Sequence, residues 1–262
     1  MKTVSVVISN YNYAKYLHSS IDSCLSQTYP CKIIVVDDVS TDSSWKILQE
    51  YGDKITRVRL KENSKGNARG KNIGICLSNT DYITCLDSDD MLLSDSIEQR
   101  IKFAEKDNFV HGWSNVVKSD EHFNSILPLC KNKEFHYDKR SKELKSQAPS
   151  RWTWAIHAST VLASRNLYEK FGLYDEEMRW SIDREMWFRW LSHGVKYIDT
   201  GTYVSIYRKH DSQVTKNRAV KDPERSRKLL VDRQTSRCII DKDNTLLMDF
   251  YDSLKYISEN NL

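Results

Sequence analysis

Glycine and proline are scarce, at 8 and 4 of 262 residues, which excludes a collagen-like or low-complexity chain. Hydrophobic residues make up 39%, too many for a wholly disordered one. No apolar run approaches the ~20 residues that a membrane-spanning helix needs. The N-terminus lacks the apolar core and small-residue cleavage site of a secretory signal. It runs straight into Val4-Ser5-Val6-Val7-Ile8, a strand pattern. The six cysteines (Cys24, Cys31, Cys76, Cys85, Cys130, Cys238) form no C-x-x-C pair, so neither a zinc site nor a dense disulfide framework is expected. These absences lead us to expect reduced thiols and a cytoplasmic protein, with attachment to the inner face of a membrane left open.

Charge of either sign is not in excess overall, since the net is only +4. The excess is local. Residues 57–71 carry +5, residues 81–98 carry −6 and residues 214–237 carry +5. Any one block reads as a solvated face. Alternating blocks suggest a site that handles both a cation and an anion.

Three short apolar runs end in polar residues: Val4–Ile8 before Ser9-Asn10, Lys32–Val36 before Asp37-Asp38, and Tyr82–Leu86 before Asp87-Ser88-Asp89-Asp90. Helical patterns separate them. Tyr16, Leu17, Ile21, Cys24 and Leu25 share a face; Trp45, Leu48 and Tyr51 follow Thr41 or Asp42 as N-cap; Ile73–Leu77 precedes the third run. This alternation predicts an α/β fold whose mostly parallel central sheet has helices on both faces. Ligands of such sheets sit beyond the carboxyl ends of the strands, so the three polar stops should share one crevice. Residues 131–151 are polar and Lys-rich. Residues 152–190 hold five of the seven tryptophans, with Asp183–Leu191 helical. Residues 216–237 are basic and helix-prone, and Leu247, Phe250, Tyr251, Leu254 and Ile257 form a helical stripe suited to packing or to a homodimer through C-terminal helices.

Asp87-Ser88-Asp89-Asp90 is the sharpest local signal. Carboxylates crowded at a strand end repel one another unless a cation joins them, and hard oxygen ligands suit Mg2+ or Mn2+. Such a cation would bridge a diphosphate, with the basic loop at 61–71 helping to hold it. The bland alternative is a set of capping acids for a helix after Met91. An aspartyl-phosphate phosphatase also starts with Asp-x-Asp after an apolar strand, but there the motif follows the first strand, not the third.

In order along the chain stand Val4-Ser5-Val6-Val7-Ile8-Ser9-Asn10-Tyr11-Asn12, Ser26-Gln27-Thr28-Tyr29-Pro30, Ile33-Ile34-Val35-Val36-Asp37-Asp38-Val39-Ser40-Thr41-Asp42, Gly66-Asn67-Ala68-Arg69-Gly70-Lys71-Asn72-Ile73-Gly74 and Asp87-Ser88-Asp89-Asp90. Later come Phe171-Gly172-Leu173-Tyr174-Asp175-Glu176, Asp183-Arg184-Glu185-Met186-Trp187 and Tyr207-Arg208-Lys209-His210-Asp211-Ser212. Together these resemble a family 2 glycosyltransferase of the GT-A fold. The resemblance implies a domain over 1–215, with a nucleotide-sugar half at 1–110 and an acceptor and catalytic half at 111–215, followed by a helical extension at 216–262.

The same resemblance implies roles. Ser9 and Tyr11 line the nucleotide pocket, Tyr11 stacking on the base. Asp38 accepts from the base's imide N–H, Asp87 contacts the ribose, and Asp89 ligates the Mn2+ or Mg2+ that bridges the diphosphate. Lys71, where the family usually has Arg, sits near the nucleotide. Asp183 is the general base, with Asp175, Glu177 and Glu185 as nearby substitutes and a helix N-cap as its bland reading. His210 and Ser212 ride a loop that closes over the diphosphate, His210 as a metal ligand. Arg151, Trp154 and His157 are candidate acceptor contacts. Two departures stand out: Ile182 where the family often has Glu, and Val39 where it usually has Gly. The expected activity is inverting, metal-dependent transfer of a sugar from a nucleotide-diphosphate sugar, UDP-linked, to a glycan or glycolipid hydroxyl. A hydroxylated base in DNA is the alternative acceptor. A non-catalytic nucleotide-binding or scaffold protein is the alternative class.

Overall fold

The computed structural model describes residues 1–118, 156–178 and 181–213. The first apolar run forms β1 (Val4–Asn10), and its residues alternate between two faces as a strand must. Val4, Val6 and Ile8 join one core while Val7 joins another. Both faces are therefore covered, which is why the run is continuously apolar rather than alternating.

The other strands are β2 (Lys32–Asp37), β3 (Thr56–Arg59), β4 (Tyr82–Asp87), β5 (Met91–Leu92), β6 (Asn108–Lys118), β7 (Val161–Ser164) and β8 (Lys196–Lys209). Among the described residues they make one mixed sheet, ordered β3-β2-β1-β4-β7-β6-β8-β5. The β3-β2-β1-β4 half is parallel throughout. β7 and β5 run antiparallel to their neighbours, and the long β6–β8 pair is parallel.

The helices are α1 (Ala14–Leu25), α2 (Ser44–Glu50), α3 (Ala68–Leu77), α4 (Ser96–Ile101), α5 (Arg165–Phe171) and α6 (Ile182–Ser192). Leu17, Ile21 and Cys24 of α1, Leu48 of α2 and Ile97 and Ile101 of α4 fill one core. Ala68 and Ile75 of α3, Leu167 and Tyr168 of α5 and Met186, Trp187 and Trp190 of α6 fill the other. Both tryptophans are fully buried and pack on Phe109 of β6. They belong to the core, not to a sugar-binding platform.

Local chemistry sets the element ends. Ser164 caps α5, its hydroxyl accepting from the Asn166 N–H. Gly172 ends that helix at φ 86°, a conformation that glycine adopts without strain. The N-cap of α2 is Ser43, not Thr41 or Asp42. Asp42 instead accepts from the N–H groups of Ala14 and Ser44, both at 2.9 Å, and ties the starts of α1 and α2 together. The helix expected after Met91 begins only at Ser96, because Met91-Leu92 pairs with Ser205-Ile206 as an edge strand. Residues 131–151 and 214–262, with their basic segment and apolar stripe, lie outside the described residues.

Candidate active site

β1 leads to β2 on one side, and the chain returns through α3 to β4 on the other. Strand order reverses at β1, and such a switch point opens a crevice at the carboxyl ends of the strands. The register brings the three polar stops there. Asn10 lies opposite Asp37, and Ser9 lies opposite Asp87. Asp37 is fully buried and structural. It accepts from Asn10 Nδ2 (2.9 Å) and the Ser40 N–H (3.1 Å), and pairs with Arg59 (3.5 Å).

Asp38 points its carboxylate at the next loop. Oδ1 accepts from the Ser64 N–H at 2.8 Å and Oδ2 from the Ser64 hydroxyl at 2.7 Å. Burial pushes this carboxyl above its ordinary range, against the opposing pull of those hydrogen bonds. Each oxygen keeps a lone pair for a further donor. Val39 follows with φ 60°. The turn is thus the one that the usual glycine would make, held here by a β-branched residue. Tyr11 is 44% exposed at the crevice mouth, an open aromatic face. Ser9 lies against Gly70, where an added Cβ would stand 2.9 Å from Ser9 Cβ. That close approach lets α3 reach the crevice.

α3 delivers Lys71, which is 1% exposed. Its Nζ stands 3.1 Å from Asp87 Oδ1 at the end of β4 and 3.4 Å from Asp183 Oδ1 in the first turn of α6. Burial alone would lower the Lys71 pKa, but Asp183 and Asp87 outweigh it and hold the ammonium above its ordinary value. Burial pushes the Asp183 carboxyl up, opposed by Lys71 and reinforced by Asp87. Its side chain keeps 25% exposure, so it faces the crevice as well as its partners. Asp183 is not the cap of α6; Ser181 is, at φ 55°. Ile182 packs into the core, which accounts for an apolar residue beside the acid. His157, stacked on Tyr207 at 4.8 Å, belongs to the same cluster. Burial lowers its pKa, and Asp183 and Asp87 oppose that shift. Of the expected acceptor contacts, His157 is thus brought to the site, while Arg151 and Trp154 lie outside the described residues.

The second acid of the motif faces a different partner. Asp89 Oδ2 lies 3.0 Å from His210 Nε2, and His210 Nδ1 lies 2.9 Å from Ser212 Oγ. The imidazole packs on Tyr16 (4.6 Å) and Tyr13 (5.6 Å), and the Tyr13 hydroxyl donates to the Ser212 carbonyl. Residues 210–213 therefore lie down against α1 and the acidic turn. Arg208 escaped sequence reasoning, although it stands two residues before His210. Its Nε donates to the Asp89 carbonyl (2.8 Å), its Nη2 to Ser19 Oγ (2.9 Å), and its guanidinium covers the Tyr16 ring. Its backbone N–H donates to Asp90 Oδ1 at 3.0 Å. Asp90 is fully buried, so the third acid of the motif is a structural tie to β8.

A divalent cation suits this donor set. A carboxylate oxygen and an imidazole nitrogen 3.0 Å apart have the separation of adjacent ligands on an octahedral ion with bonds of ~2.1 Å. Ser212 is placed to accept from the other ring nitrogen, the usual support of a metal-bound histidine. Among the described residues no three His, Cys, Asp or Glu side chains group as a complete cage.

The basic block at 57–71 is dispersed rather than pooled. Arg57 donates to the Gly52 carbonyl, Arg59 to Ser40, and Arg69 pairs with Glu176 at 2.9 Å.

Residues 5–171 match the family described as Glycosyl transferase family 2. The chain belongs to that family. It is 33% identical over 217 residues to an uncharacterized glycosyltransferase of Rickettsia typhi, a match covering 81% of this chain but 65% of that relative's length. It is 29% identical over 224 residues, 83% of this chain and 82% of the other, to the UDP-Glc:alpha-D-GlcNAc-diphosphoundecaprenol beta-1,3-glucosyltransferase WfaP of Escherichia coli. S. aureus TarS in complex with UDP-GlcNAc superposes with a TM-score of 0.73 at 17% identity, covering 95% of this chain and 71% of that one. The mannosyltransferase PcManGT of Pyrobaculum calidifontis, in complex with GDP-Man and Mn2+, gives 0.65 at 18%, covering 97% and 68%. The shared architecture is the GT-A fold.

Proposed function

We propose that the chain is an inverting glycosyltransferase that moves a sugar from a UDP-sugar to a hydroxyl of a lipid-linked or surface glycan, with a divalent cation at Asp89 and His210. The observation that carries this reading is the pairing of one buried cation, Lys71, with two acids from different elements, Asp87 at the end of β4 and Asp183 at the start of α6.

On this reading Tyr11 offers a ring to the base, Asp38 accepts from its N–H, and Asp87 accepts from the ribose. When bound, the cation neutralises charge on the leaving diphosphate as a Lewis acid. Asp183 takes the proton of the acceptor hydroxyl as its oxygen attacks the anomeric carbon. The bond to the diphosphate breaks on the opposite face, which inverts the centre. A carboxyl raised by burial is a better base than a free one, and this proton transfer is worth about 10²–10⁴-fold. The lipid-linked acceptor draws on the name of WfaP.

No helix among the described residues is long and apolar enough to cross a membrane. The domain over 1–215 with its extension at 216–262 is part of this proposal. The DNA reading draws on residues 57–71, 131–151 and 214–237; the last two lie outside the described residues, and Arg57, Arg59 and Arg69 of the first are engaged within the protein. The test is UDP release from a panel of UDP-sugars with Mn2+. Release abolished by a chelator is expected. UDP binding without turnover of any donor would favour the non-catalytic class instead.

A further inference from the structure

The position of Lys71 is the least expected feature of the site. Resemblance gives it to the nucleotide, yet its charge is spent elsewhere. An ammonium has three N–H donors and no acceptor. Here Nζ donates to Asp183 Oδ1 at 3.4 Å and stands 3.1 Å from Asp87 Oδ1 as an ion pair. The Tyr174 ring lies 5.4 Å from Nζ, within cation–π range. The side chain is 2% exposed, so it offers no open face to a diphosphate. Tyr174 is itself pinned to the neighbouring residue of α3: Asn72 donates to the Tyr174 carbonyl at 2.9 Å and accepts from its N–H at 2.9 Å. Tyr174 is thus fastened to the helix that carries Lys71.

We propose that Lys71 is a positioning residue that keeps Asp183 ionised and aimed across the crevice, and is not a ligand of the donor.

This rests on the reading of Asp183 as the base. The groups whose charge acts on Asp183 are Lys71 from α3, Asp87 from β4 and His157 from the turn before β7, and Cys85 of β4, Tyr168 of α5 and Tyr174 of the loop after it lie within electrostatic reach. Of these only Lys71 carries a fixed positive charge, and Asp87 carries a negative one. Burial and Asp87 both push Asp183 towards its neutral form, and Lys71 is the main counterweight. A protonated Asp183 could not accept a proton from an acceptor hydroxyl.

The test compares Lys71→Met and Lys71→Arg with the wild-type protein in two measurements. The first is carboxyl carbon NMR, with the Asp183 resonance assigned from Asp183→Asn. Its titration midpoint should rise by at least one pH unit in Lys71→Met and return most of the way in Lys71→Arg. The second is calorimetric binding of UDP with Mn2+ in an Asp87→Asn background, which holds the Asp87 contribution constant, and there Lys71→Met should change affinity less than threefold. An unmoved midpoint overturns the proposal. So does a tenfold or greater loss of UDP affinity from Lys71→Met in that background, the result expected of a donor ligand. Should Lys71→Met fail to fold, Lys71→Arg decides: a midpoint within half a unit of wild type and unchanged UDP affinity are expected, and a tenfold affinity change overturns the proposal. If Asp183→Asn keeps full donor turnover, the base assignment falls, while the midpoint shift still reports whether Lys71 governs that carboxyl.

Discussion

Gly74 is where the site's geometry depends most directly on one missing methyl group. It lies on the face of α3 that rests on β1, one turn after Lys71. A Cβ there would stand 2.2 Å from Val7 Cγ1, 3.2 Å from Cγ2 and 3.3 Å from Cβ. Unstrained carbon contacts are ~3.5–4.0 Å, so Gly74→Ala asks for a separation of more than an ångström. Val7 is fully buried in the middle of the sheet and cannot yield. Overpacking of this kind costs about 1–3 kcal/mol, and the close contact places it at the upper end. Replacing a helical glycine by alanine returns about 0.8–1.0 kcal/mol. The net loss is therefore about 2 kcal/mol, or roughly 4–8 °C in Tm for a chain of this size. Urea denaturation reads it as a lower midpoint at unchanged slope. Val7→Ala vacates the contested space, so the two changes together should cost at least about 1 kcal/mol less than their sum. A Gly74→Ala protein as stable as wild type, with no coupling to Val7, would refute the close packing of α3 on β1. The placement of Lys71 would fall with it.

Three other outcomes follow from the same geometry. Val39→Asn should raise stability by about 1 kcal/mol in urea melts, because a β-branched residue at φ 60° carries about 1–2 kcal/mol of strain that asparagine tolerates; a drop would contradict this. Ser64→Ala removes the hydroxyl that fixes Asp38 at 2.7 Å and should weaken UDP binding about fivefold to tenfold by calorimetry, the equivalent of about 1–1.4 kcal/mol. Unchanged affinity would separate Asp38 from the nucleotide. His210→Ala should raise the Mn2+ concentration for half-maximal UDP binding by about 10–100-fold, and an unmoved midpoint would remove His210 from the donor set.

What the sequence disclosed, and what it hid, follows from the range of the interactions. β1, β2 and β4 were legible because strands covered on both faces are continuous apolar runs, and their polar ends mark the crevice. α1 and α3 showed as helical spacing. β3 was hidden because Thr56-Arg57-Val58-Arg59 is an edge strand with charged alternate residues, one of which pairs with Asp37. Met91-Leu92 was hidden because two residues carry no period, and their strand exists only through Ser205 and Ile206. The family resemblance implied one site for Asp87, Asp89 and Asp183, and residue type suggested a cation for the Asp87-Ser88-Asp89-Asp90 cluster as a whole. It could not show that Lys71 binds two of these acids, since those contacts span 16 and 112 residues. Nor could it show Arg208 beneath Asp89. The β5–β8 pairing brings that strand alongside the acidic turn.

The central claim is that Asp183 acts on the acceptor hydroxyl and not on the donor. Asp183→Asn keeps the shape and removes the base, so the decisive measurement pairs UDP affinity with metal-dependent turnover of the best UDP-sugar. Affinity within twofold of wild type, with turnover reduced about 10²–10⁴-fold, is the predicted result. Turnover retained at the wild-type rate would contradict the account.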